Sequence, residues 1–264
     1  MEIFQAIILG IVQGITEWLP VSSSGHLVIF QELFGFGTNV SFDVLLHFAT
    51  LLVILLVFWK DIVAIFKSLF SLKWDENTKL LLFIIIASVP IAIIGFVFHD
   101  FFIGLLTNLF LVGIFLVING LVLFLTRFTK QNNNKSNKLK DSSKLNWWKS
   151  LVIGVAQAVA LIPGISRSGA TVSTGLFLGI KKKKLITFSF LMAVPAIIGA
   201  TISEAKGLTM VNPAALILGS IAALIVGYFS LKFLIRIIEK GKMHNFSYYC
   251  VVLGIIVILV ALIY

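Results

Sequence analysis

Six long apolar runs restrict this chain to a helical bundle in a bilayer. They cover roughly residues 42–59, 80–98, 108–127, 185–204, 213–235 and 246–264. Each approaches the roughly 20 residues that a helix needs to cross the hydrocarbon layer. Charged residues make up only 12% of the chain and hydrophobic residues 59%, whereas about a quarter of a soluble domain is charged. The first apolar stretch does not read as a cleavable signal: its early charge is Glu2 rather than a basic cluster, and a proline-serine segment follows it. The single Cys250 excludes an internal disulfide and reads as a small apolar filler.

Two regions break the pattern. Residues 3–18 are apolar but end at Pro20 and three serines, and a second short run, 26–36, follows. Residues 147–161 end at Pro163-Gly164, with another short run at 170–180. Each region, 3–36 and 147–180, reads as a re-entrant hairpin of two half-length helices. Irregular backbone at membrane depth is tolerated only inside protein or beside a wet cavity. The hairpins echo each other: Gly10 and Gly25 are as far apart as Gly154 and Gly169, with Gln13 and Gln157 at matching places. A weaker echo joins Val89-Pro90 with Val194-Pro195, where prolines are expected to kink the spans.

Charge assigns the sides. If both hairpins return and the six runs cross, every Lys and Arg except Lys206 and Arg167 falls on one side. The positive-inside rule makes that side cytoplasmic and places both termini outside. The expected fold is therefore an all-α integral membrane protein with six transmembrane helices and two re-entrant helical hairpins, arranged as an inverted-topology repeat. Its single membrane domain divides into a first half, 1–127, a basic linker, 128–149, and a second half, 147–264. Trp147 and Trp148 read as interfacial anchors. The net charge of +10 belongs to loops flanking apolar runs, so it implies membrane orientation rather than nucleic-acid binding. Lys181 to Lys184 read as a solvated flank beside lipid headgroups. Membrane lipids are the expected surroundings, and the sequence leaves room for a homodimer.

The two turns hold the polar chemistry. The second, Pro163-Gly-Ile-Ser-Arg-Ser-Gly-Ala-Thr171, opens a short helix. A helix N-terminus offers unpaired N–H groups and the positive end of a dipole. Ser166, Ser168 and Thr171 add hydroxyls, Gly169 allows close approach, and Arg167 adds a planar fork suited to phosphate. This combination reads as a phosphate clamp. The bland reading is a serine cap with Arg167 on backbone carbonyls. The first turn brings Glu17, Ser22, Ser23, Ser24 and His26, a carboxylate, hydroxyls and an imidazole able to serve as base or metal ligand, nucleophile and acid. Its bland reading is capping by the serines and an ion pair of Glu17 with Arg167. Ionisable groups at membrane depth are costly, which favours function. Asp43 and His47 share a helix face near the end of the first span and read as interfacial, as do His99, Asp100, His244 and Glu204.

These motifs resemble a known family. Gln13-Gly-Ile-Thr-Glu17-Trp-Leu-Pro-Val-Ser-Ser-Ser-Gly-His26 is similar to the (Glu/Gln)-x-x-x-Glu motif, with its serines and histidine, of the undecaprenyl-diphosphatases of the bacitracin-resistance type. Pro163 to Thr171 is similar to that family's Pro-Gly-x-Ser-Arg-Ser-x-x-Thr motif. The resemblance covers essentially the whole chain. It implies hydrolysis of undecaprenyl diphosphate to the monophosphate and inorganic phosphate, recycling the cell-wall lipid carrier in a bacterial plasma membrane. It also implies a divalent cation, Mg²⁺ or Ca²⁺, and an active site open to the outer face. By matching positions it implies Glu17, Ser23, His26 and Arg167 as essential residues, with Ser22, Ser24, Ser166, Ser168, Gly169 and Thr171 as phosphate ligands. Glu17 becomes the expected metal ligand, and the Gln13 carbonyl could join it. Ser23, His26 or water remains open as the nucleophile. A polyprenyl-phosphate flippase or anion transporter is the alternative, because inverted repeats with broken helices are also a transporter signature.

Overall fold

Helix α1, Ile3–Thr16, stops at Glu17 and gives way to a turn before α2, Ser23–Leu33. Proline at position 20 has no N–H to continue the helix. This is a computed structural model describing residues 2–36, 40–106, 108–129, 144–203 and 212–263. Most of the basic linker, together with Lys206 and Glu204, lies outside the described residues. Among the described residues every regular element is helical.

The chain continues through α3, Val40–Val57; α4, Trp59–Phe70; α5, Glu76–Val97; α6, His99–Leu106; and α7, Leu109–Leu125. After the linker come α8, Trp147–Val159; α9, Arg167–Phe177; α10, Lys182–Leu191; α11, Ala193–Ser203; α12, Pro213–Glu239; and α13, Phe246–Ile263. Four of these start on an Asp or Asn cap: Asp75, Asn108, Asn146 and Asn212 accept from first-turn N–H groups. Each such cap contributes about 1 kcal/mol relative to alanine.

Five helical stretches are long and apolar enough to cross a membrane, and a sixth appears if α3 and α4 count as one span bent by 76°. The chain is thus a multi-pass membrane protein. Residues just past the first span form the amphipathic α4, with the bend at Phe58, where no glycine or proline marks it. The 185–204 run falls within one candidate span, Lys182–Ser203, with a break at Met192 between α10 and α11, where the ring of Pro195 would crowd the carbonyl of Leu191.

Small residues set the closest packing. A Cβ on Gly10 would lie 2.1 Å from the Gly219 carbonyl oxygen of α12, and one on Gly154 would lie 2.4 Å from that of Ala87 in α5. Thus α1 packs on α12 while α8 packs on α5. Gly113 and Gly254 make the same approach between α7 and α13. Between helices in lipid, such contact lets dispersion replace the hydrophobic effect. Trp18, Phe58 and Phe190 fill the interior, with the Phe190 ring 5.9 Å from each of the other two. Phe96, Leu262 and Ile263 remain largely exposed, as lipid-facing side chains do.

Candidate active site

The two turns are in contact. Ser22 caps α2 by accepting from the Gly25 N–H at 3.3 Å, and its Oγ also accepts from the Gly164 N–H of the other turn at 3.1 Å. Ser22 holds φ 70° and ψ 98°, a conformation costly for a residue with a Cβ; its two amide bonds hold it there. Ser166 caps α9 in the same way, accepting from the Gly169 N–H at 3.1 Å, but with an ordinary φ of −83°. Gly164 has φ +96°, and a Cβ there would meet the Val112 carbonyl oxygen at 2.6 Å, so only glycine fits. Asn119 of α7 ties both turns: its amide donates to the Pro20 carbonyl at 2.9 Å and its Oδ1 accepts from the Ser166 N–H at 3.1 Å.

Two helix N-termini therefore meet at one place. The caps use the Gly25 and Gly169 N–H groups, and the first-turn N–H groups of Ser23, Ser24, Arg167 and Ser168 have no partner inside their own helices. Two dipole N-termini brought together in this way favour an anion.

Glu17, 5% exposed, lies between these termini. Its Oε1 accepts from Arg167 Nη2 at 2.5 Å. Its Oε2 accepts from Ser23 Oγ at 2.7 Å and from Gln13 Nε2 at 3.0 Å. His47 Nε2 lies 3.2 Å from the same oxygen. The Arg167 guanidinium sits 5.6 Å above the Trp18 ring, a cation–π contact that fixes its plane. A carboxylate with this many donors tolerates burial that would otherwise cost several kcal/mol.

Of the residues read from the sequence, Glu17, Ser23 and Arg167 are in direct contact. His26 turns elsewhere: Nδ1 is 2.8 Å from the Ser22 carbonyl, and Nε2 is 2.7 Å from the Tyr249 hydroxyl, with the two rings stacked. Ser24 pairs with Ser22 at 3.3 Å, and Ser168 with Ser166 at 3.1 Å. Thr171 donates to the Arg167 carbonyl at 2.9 Å and shares a 2.5 Å hydrogen bond with Ser189. The sequence reading missed three participants. His47 was expected at the interface but touches Glu17, and its one signal was a histidine in an apolar run. Asn119 is an isolated polar residue in α7, Tyr249 follows Ser247 and Tyr248 at the start of α13, and neither belongs to a local motif.

The family model described as bacitracin resistance protein BacA matches residues 6–256. The chain belongs to the BacA family. Proteins named undecaprenyl-diphosphatase are similar to it from end to end. The one from Halothermothrix orenii is 40% identical over 269 residues, covering 99% of each chain. The one from Carboxydothermus hydrogenoformans is 41% identical over 266 residues, covering 98% of this chain and 97% of the relative. The one from Bacteroides fragilis is 38% identical over 273 residues, covering 99% of each.

In this BacA chain the donor set bears on the divalent cation expected from the sequence. No group of three or more His, Cys, Asp or Glu side chains with metal-binding geometry occurs among the described residues. Gln13 Oε1 is buried without a partner, beside a carboxylate that already accepts from three side chains. Mg²⁺ is commonly held by one or two carboxylates plus substrate phosphates. The Glu17 carboxylate and the unpartnered Gln13 Oε1 are the side-chain oxygens that would hold such an ion.

Proposed function

We propose that this chain hydrolyses undecaprenyl diphosphate to undecaprenyl phosphate and inorganic phosphate. The carrying observation is the Glu17–Arg167–Ser23 cluster set between two helix N-termini inside a membrane protein. A guanidinium beside two helix N-termini, among apolar helices, suits a phosphate headgroup on an apolar tail. Full-length similarity to proteins named undecaprenyl-diphosphatase supports the same reading.

The diphosphate enters with its terminal phosphoryl group against the first-turn N–H groups of α2 and α9. Arg167 turns its fork from Glu17 to the phosphate oxygens, as bidentate guanidinium recognition favours. Glu17, released from its counter-charge, takes the proton of Ser23. Ser23 Oγ attacks the terminal phosphorus, and the bond from phosphorus to the bridging oxygen breaks. Undecaprenyl phosphate leaves with that oxygen. Water then attacks the phosphoserine, releasing inorganic phosphate and restoring Ser23 Oγ with its proton. Positioning and charge stabilisation supply most of the acceleration in phosphoryl transfer. A divalent ion bound beside Gln13 would neutralise charge on the phosphates. His26, engaged through both ring nitrogens, supports the Ser22 turn and receives no proton-transfer step here.

The same reading includes an inverted repeat of two re-entrant hairpins opening to the outer face. Its supports are the matching Ser22 and Ser166 caps, the paired packing of α1 on α12 and α8 on α5, and the charge asymmetry of the loops. Phosphate release by the pure protein in detergent tests the reaction. Binding of the lipid without any release would overturn it.

A further inference from the structure

Neutral Gln13 leaves the site one carboxylate, and a group from a third helix stands beside it. His47, on α3, points its Nδ1 at the Asp43 carbonyl of its own helix at 2.7 Å. Nδ1 donates there, and Nε2 faces the Glu17 carboxylate, which only accepts. Nε2 lies 3.4 Å from Ser23 Oγ and 3.2 Å from Glu17 Oε2. The Ser23 hydroxyl donates its one hydrogen to Glu17 of α1, and the α3 imidazole meets the lone-pair side of its oxygen. The α3 arm is braced. Gln31 of α2 donates through Nε2 to both Asp43 carboxylate oxygens, at 2.8 and 3.0 Å. α2 and α3 are therefore joined at Gln31–Asp43 and at Ser23–His47.

We propose that His47 is a positioning residue of this site, holding Ser23 Oγ and the Glu17 carboxylate as a hydrogen-bond donor. The inference rests on the phosphatase reading. Its role needs an N–H donor at that point rather than a proton store. A glutamine at position 47 carries an amide N–H of similar reach and can take over the bond, whereas a leucine fills the space without one.

The test compares wild type, His47→Gln and His47→Leu as full-length protein in detergent, reading phosphate release from undecaprenyl diphosphate and melting temperature. A nucleophile displaced by about 1 Å can lose about a hundredfold in rate. The Leu variant is expected to lose about that much in kcat, with KM and melting temperature close to wild type, while the Gln variant stays within about fivefold of wild type. A Leu variant that turns over at the wild-type rate overturns the proposal. So does a Gln variant as slow as the Leu variant, or a loss in kcat matched by a loss of melting temperature. Failure of the wild type itself to release phosphate removes the phosphatase reading and this role together.

Discussion

Arg167 Nη2 and Glu17 Oε1 meet at 2.5 Å although 150 positions separate the two residues. The pair joins the first turn to the second and holds, before substrate arrives, the cation that a diphosphate needs. Its geometry sets the first prediction. Arg167→Lys keeps the charge but loses the planar fork and the stack on Trp18, so kcat/KM for undecaprenyl diphosphate should fall by about a hundredfold or more. Phosphate-release kinetics check this, and a variant within threefold of wild type would count against the clamp.

Asn119 should matter for stability as well as turnover. Asn119→Ala strands the buried Ser166 N–H and leaves the Pro20 carbonyl only the weak Cys250 thiol donor at 3.6 Å. Each unsatisfied group costs about 1–3 kcal/mol. The variant should melt at a clearly lower temperature in detergent, and its activity should drop because both caps lose a support.

The tight glycines supply an internally controlled test. Gly154→Ala drives a Cβ to 2.4 Å from the Ala87 carbonyl oxygen, and backbone yields little, so the cost should be about 1–3 kcal/mol. Gly199 has nothing within 4 Å of its would-be Cβ, so Gly199→Ala should be neutral or stabilising by up to about 1 kcal/mol through helix propensity. Thermal melts of the two variants side by side decide it.

At the first residue of α5, Glu76 accepts from Lys184 of α10 at 2.6 Å. The pair is exposed, and exposed pairs contribute under about 1 kcal/mol. Glu76→Gln should therefore leave the melting temperature in detergent close to wild type. A large drop would mean that this pair fastens α5 to α10.

Much of the site was legible because polar residues are conspicuous against apolar sequence. Glu17, Ser23 and Arg167 lie in segments where each carries an energetic penalty without a partner, and the structure gives each one. His47 escaped because one histidine in the first turns of a span reads equally well as an interfacial residue; only the packing of α3 against α1 brings it to Glu17. Asn119 escaped because its bonds go to backbone atoms of distant turns, and no spacing encodes such partners. In the fold, the apolar runs located the spans, whereas the elbow at Phe58 left no trace, since phenylalanine breaks no helix by itself. His26 shows the converse: a residue conspicuous in its motif whose bonds go to Ser22 and Tyr249.

The stitching of the turns limits how the molecule moves. Ser22 reaches Gly164, and Asn119 clasps Pro20 and Ser166. A carrier that exposed its cargo to opposite leaflets by rocking one half against the other would have to tear these bonds open on every cycle. A hydrolase asks only for side-chain rotation at Arg167 and passage of the lipid along a stationary wall.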